Sequence, residues 1–171
     1  SKGQNIVNFL QLSPEEKVSS VLQSEDFAAF KYFVMVTKNG VIKRTELSQF
    51  SNVRRSGLIA IGLKDGDALR WVRPSTGKDD IMLATLNGQS IRFKEKGVRS
   101  MGRSAAGVKA LKLKKDDEVI GVDMIADGKA AKDEQFLVVT ENGFGKRTAL
   151  SAYKVQGRGG SGIKTVQVTA K

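Results

Sequence analysis

The chain has 171 residues and a formal net charge of +11, from 29 Lys and Arg against 18 Asp and Glu; 40% of its residues are hydrophobic. It contains neither Cys nor His, which excludes zinc fingers, disulfide scaffolds, thiol nucleophiles and every triad built on an imidazole base. With 18 Gly and only 2 Pro it is neither collagen-like nor Pro-rich, and a pI near 10.0 points to a polyanionic partner, nucleic acid ahead of an anionic membrane.

The opening Ser1-Lys2-Gly3-Gln4 has no Met and no signal-peptide pattern, and reads as the interior of a longer protein. No apolar run approaches the roughly eighteen residues that cross a bilayer. Leu12 to Val18 then brackets an acidic turn, Ser-Pro-Glu-Glu-Lys. Residues 14–22 are the best helical candidate in the chain, yet they align with strands of later repeats.

The first hairpin signature is Phe33-Val34-Met35-Val36-Thr37-Lys38-Asn39-Gly40. It recurs as Ile81-Met82-Leu83-Ala84-Thr85-Leu86-Asn87-Gly88 and as Phe136-Leu137-Val138-Val139-Thr140-Glu141-Asn142-Gly143. Seven residues after each Thr stands an arginine: Arg44, Arg92 and Arg147. Asn-Gly suits a two-residue type I′ turn, and the continuous apolar or β-branched runs before it suit strands buried on both faces. After each hairpin a basic loop ends in a glycine and a short apolar strand, at Gly57-Leu58-Ile59-Ala60-Ile61, Gly107-Val108-Lys109-Ala110-Leu111 and Gly162-Ile163-Lys164-Thr165-Val166. Acidic turns follow at Leu63 to Leu69 and Leu113 to Val119, with the spacing of Leu12 to Val18. The repeat frame is therefore 1–26 (partial), 31–77, 79–128 and 134–171 (partial). A period near fifty with about four strands per unit predicts an all-β, propeller-type array, with a sandwich as the structural alternative.

The charge keeps the same phase. Residues 41–64 hold five Lys and Arg against Glu46, residues 88–112 hold seven against Glu95, and residues 144–164 hold five against none. These segments carry +15 and the rest of the chain −4. One basic segment alone is a solvated face. Three in one phase point to a phosphate track along stacked loops, with salt-sensitive and largely sequence-blind affinity. The candidate contacts are Lys43, Arg44, Arg54, Arg55, Arg92, Arg99, Arg103, Lys109, Lys146, Arg147, Arg158 and Lys164. For Arg44, Arg92 and Arg147 a strand one step out of phase would instead face the neighbouring unit. Trp71 is the sole Trp and Tyr153 the only aromatic beside a basic loop, which favours duplex DNA over a stacked single strand. No recognition helix is visible for reading bases.

Three patterns mislead. Gly157 to Gly162 fits GxGxxG, but strand residues rather than a helix follow, and Ile163 stands where a P-loop needs Lys. Asp79-Asp80 and Asp116-Asp117 lie in or near turns beside Lys, as solvated turn acids do. No nucleophile–base pair exists, so the chain reads as non-catalytic.

The run Thr140-Glu141-Asn142-Gly143-Phe144-Gly145-Lys146-Arg147-Thr148, with Tyr153-Lys154-Val155 and the loop Gln156, Gly157, Arg158, Gly159, Gly160, Ser161, Gly162, resembles the C-terminal domain of DNA gyrase A subunits. So do Ile81 to Gly88, Val98 to Val108 and Gly3 to Leu12. The resemblance covers essentially the whole chain and is closer to the gyrase type than to its topoisomerase IV paralogue. It implies a β-pinwheel, a propeller-like ring of about six four-stranded blades, of which this chain holds three to four. It implies double-stranded DNA bent around a basic rim, and a bacterial cytoplasmic, nucleoid-associated holoenzyme of two A and two B subunits that supercoils DNA at the expense of ATP. Neither a membrane partner nor a cofactor of this domain is implied; ATP and Mg belong to other parts of the holoenzyme. The family's box Gln-Arg-Arg-Gly-Gly-Lys-Gly is matched only loosely by Gln156 to Gly162, with Gly157 for the first Arg and Ser161 for Lys. The competing reading is a protein-binding scaffold.

Overall fold

The computed structural model describes residues 3–168 except 6, 7, 9, 24–26, 53, 55 and 128–133. Eleven strands are formed among these residues: β1 (Tyr32–Thr37), β2 (Val41–Glu46), β3 (Leu69–Ser75), β4 (Asp80–Thr85), β5 (Gln89–Lys94), β6 (Val108–Lys109), β7 (Val119–Ile125), β8 (Gln135–Val139), β9 (Gly145–Ala149), β10 (Val155–Gln156) and β11 (Ile163–Lys164). Helical structure is limited to single 3-10 turns, such as Leu47–Phe50, Glu95–Gly97 and Leu150–Ala152. The all-β, propeller-like class stands.

The three hairpins β1–β2, β4–β5 and β8–β9 form where the Asn-Gly signatures lie. Their turns differ from the expected type. The amide of Gly40 donates to Thr37 O at 3.1 Å, so Lys38 and Asn39 are the central residues and only Gly40 has positive φ, +76°. Gly88 and Gly143 repeat this. The geometry is a three-residue loop with glycine in the left-handed position, whose bulge suits the twist of a hairpin as well as type I′ does. The acidic turns pin the tips. Asp67 Oδ1 accepts from Asn39 N at 3.0 Å. Asp117 accepts from Asn87 N at 2.9 Å and from the Thr85 hydroxyl at 2.8 Å.

Each unit then completes its predecessor. The first sheet runs β3-β1-β2-β6 and the second β10-β5-β4-β7, with β11 also on β5. β6, β10 and β11 therefore belong by sequence to the unit after the sheet they join. The incoming chain first runs parallel to the second hairpin strand, at Ser100 beside Arg44 and at β10 beside Arg92 and Phe93. It turns at the Gly loop and returns antiparallel as β6 or β11. A Cβ on Gly107 would lie 2.6 Å from the Ile42 carbonyl oxygen, and one on Gly162 would strike Ser90 O. Both glycines also have positive φ, so no other residue fits there without strain.

This exchange explains three departures from the sequence reading. Residues 57–61 form no strand, because their equivalents pair with a preceding second hairpin strand and 57–61 meets none among the described residues. Residues 14–22 are neither helix nor strand, showing only a turn at 14 and 15; β3 and β7 exist by pairing with a first hairpin strand. Burial on both faces holds for β1 and β4 but not for β8, which among the described residues pairs only with β9. Leu137, Val139 and Phe144 are 58%, 57% and 68% exposed.

The main core joins the first two sheets: Val34, Val36 and Ile42 pack with Ile81, Leu83, Ile91, Phe93, Val98, Leu111 and Val122. A smaller cluster of Met82, Leu150 and Tyr153 seats the third unit.

Candidate nucleic-acid interface

The Gly loops stack in constant register. Gly62 N donates to Ala105 O at 3.2 Å, and the equivalent Lys112 N donates to Gly160 O at 2.8 Å. Likewise Ala110 N donates to Gly40 O and Thr165 N to Gly88 O, at 2.8 and 2.9 Å. Equivalent side chains of successive loops therefore take equivalent places: Arg103 and Arg158, four residues before the loop glycine, and Lys109 and Lys164, two after it.

Three of the expected phosphate contacts are instead internal. Lys43 is fully buried on β2, its ammonium donating to Ala60 O at 2.6 Å and to Arg103 O. Burial, then the nearby Arg103 charge, push its pKa down to about 8. Arg44 is 9% exposed; it meets the fully buried Glu95 at 3.4 Å and lies 4.3 Å over the Tyr32 ring. Glu95 also accepts from the Ser75 hydroxyl at 2.6 Å and from Gly77 N at 3.0 Å. Arg92, equally buried, pairs with Asp80 at 2.7 Å and donates to Leu150 O at 3.2 Å in the third unit. The repeated arginine thus joins units rather than facing solvent. The physical reason is that the next unit covers β2 and β5, so the residues of both phases on these strands are enclosed. Arg147 stands at the same register but is exposed.

The other cations lie outward. Arg54, Arg99, Lys109, Lys146, Arg147, Arg158 and Lys164 are exposed and Arg103 is half-buried. Among the described residues no carboxylate pairs with any of them. Lys146 donates to Thr165 O at 3.2 Å. Arg158 rests on the carbonyls of Gly97 and Lys109, both at 2.9 Å. Arg55 lies outside the described residues. Sequence reasoning passed over Lys154, which is exposed and stands eight residues before its loop glycine, as Arg99 does; that shared offset was the available signal. Arg54 and Arg103, from consecutive units, line one cleft of about 640 Å³ with Ser48, Gln49, Asn52 and Ser104.

The misleading patterns resolve structurally. The GxGxxG stretch links β10 to β11 with no helix after it. Asp79 accepts from Thr76 N and its hydroxyl, at 2.8 and 2.9 Å, and Asp80 holds Arg92 and Lys94. No carboxylate group with metal-site geometry exists among the described residues. Tyr153 is buried edge-on against Phe136, so it offers no stacking platform. No helix among the described residues is long and apolar enough to cross a membrane.

A family model described as "DNA gyrase C-terminal domain, beta-propeller" matches residues 31–76, 79–126 and 134–171. The DNA gyrase A subunit of Staphylococcus epidermidis is 43% identical over 172 residues, and that of Staphylococcus aureus 42%. All of this chain is covered, but only 19% of either relative, so the chain spans about a fifth of their length. Among solved structures, a topoisomerase IV C-terminal domain superposes with a TM-score of 0.84 at 32% identity, covering 95% of this chain and 49% of that one. A DNA gyrase A C-terminal domain gives 0.81 at 28%, covering 95% and 53%. With its repeated hairpins, exchanged strands and stacked Gly loops matched unit by unit, the chain belongs to the DNA gyrase C-terminal domain family and corresponds to a portion of the gyrase A polypeptide.

Proposed function

We propose that this chain binds duplex DNA without sequence preference, laying the sugar–phosphate backbone across its stacked Gly loops. The observation that carries this reading is the repeated loop contact, Gly62 to Ala105 and Lys112 to Gly160. It sets unpaired cations of successive units at equal offsets, as a track for a periodic polyanion requires. Arginine and lysine on such a track neutralise phosphates and release counterions, which gives affinity without base readout. A binding curve measured over a range of salt tests it. With about six to eight phosphates contacted, log K falls against log salt with a slope of about −5 to −7. A salt-independent affinity overturns the reading.

In the longer protein the same track bends DNA in one hand and presents it to the cleavage machinery of an enzyme of two A and two B subunits, which uses ATP to introduce negative supercoils. This chain contributes no catalytic group to that reaction. The chirality is tested by relaxing a closed plasmid with a nicking–closing enzyme in the presence of the protein. A shifted linking number supports wrapping, whereas retention without a shift reduces the role to holding.

A further inference from the structure

The cleft between the first and second Gly loops has an unusual floor. Lys43 is enclosed, and its ammonium touches only the carbonyls of Ala60 and Arg103, one from each loop that walls the cleft. A buried cation is normally matched by a carboxylate. Among the described residues none is within ion-pair distance of this one. The charge that faces it is the like charge of Arg103, while β1 offers Met35 as its cross-strand neighbour. The adjacent Arg44 is already engaged by Glu95. Arg54 and Arg103 line the open side, with the hydroxyls of Ser48, Ser51, Ser56 and Ser104 as neutral donors. The equivalent position in the second unit is the apolar Ile91, and in the third Lys146, which is exposed. A buried, unmatched cation is therefore particular to this junction.

We propose that this cleft is a seat for a DNA backbone phosphate, held by Arg54 and Arg103 and supplied with a third, buried positive charge by Lys43. The proposal rests on the duplex-binding reading above and locates one contact within it. A phosphate in the cleft provides the missing counter-charge, so it favours the protonated ammonium. Without DNA the ammonium releases its proton near pH 8. Binding above that pH must then draw a proton from solution, and by linkage the affinity must fall as pH rises while every arginine stays charged.

The test titrates the 171-residue chain with a labelled duplex at constant ionic strength while pH is taken through about 8. Calorimetry in buffers of different ionisation enthalpy counts the protons. For the wild type, affinity falls about three- to tenfold over the first pH unit above that value, with proton uptake. Lys43→Arg keeps its charge and gives a flat profile with no uptake. Lys43→Met is flat and weaker throughout; should thermal melting show it unfolded, the wild type and Lys43→Arg decide the matter. A salt-sensitive affinity that is flat with pH and takes up no proton overturns the phosphate seat and leaves the duplex reading standing. So does a pH step that persists in Lys43→Arg, because the terminal amine then accounts for it. Absence of salt-sensitive binding at every pH overturns both.

Discussion

Lys43 and Lys109 both lie in strands of basic segments, yet one is sealed and the other exposed. What separates them is which strand the following unit covers, and a period-two pattern cannot register that. Arg44 and Arg92 were legible as repeated, but their inward direction was not, because each finds its partner about fifty residues on. The same distinction divides the variants. Arg92→Ala leaves Asp80 with Lys94 alone and breaks a tie to Leu150; it should cost about 3 kcal/mol of stability, read by urea melts. Arg103→Ala should leave stability within about 0.5 kcal/mol, weaken binding to all sequences alike and lower the salt slope by about 0.9. Lys43 also sets a pH dependence of stability. Its folded pKa of about 8 lies below the ordinary 10.5, so between these values the unfolded chain binds more protons. Stability from this site is therefore present above the upper value and lost as pH falls through the lower one. In wild type minus Lys43→Met, melts taken at increasing pH should show this rise.

At the scale of the element, the hairpins were readable because their tips, apolar runs and trailing arginines recur at fixed spacing. The turn type was not, since Asn-Gly serves a three-residue loop as readily as a two-residue one. The short strands after the Gly loops were readable as apolar runs, but a strand needs a neighbour, and residues 57–61 have none among those described. Glycine gives the matching test. Gly107→Ala brings a Cβ within 2.6 Å of Ile42 O at a φ of +97°, and should cost about 3 kcal/mol or more. Gly57→Ala has a positive φ but open space, and should cost about 1 kcal/mol. Equal losses from the two would mean that strand exchange is not what demands glycine. Amide exchange should likewise be slowest in β4, flanked by β5 and β7, and fastest in β8–β9, whose side chains are largely exposed.

Across the whole molecule, the sequence repeats and the folded sheets do not share boundaries. Each of the first two sheets is closed by chain drawn from the unit after it, through β6 in one case and β10 and β11 in the other. The overlap also lines up the cationic loops, so the DNA track and the cohesion of the array come from one device. A backbone break between Asp127 and Glu134 would therefore not release the third unit. The two pieces would stay clasped by β10 and β11 on β5 and by the Arg92–Leu150 contact, and would co-elute until denatured. Such an interlock lets nicked or separately expressed halves complement one another, and it means that a unit can be removed cleanly only together with the loop that its predecessor depends on.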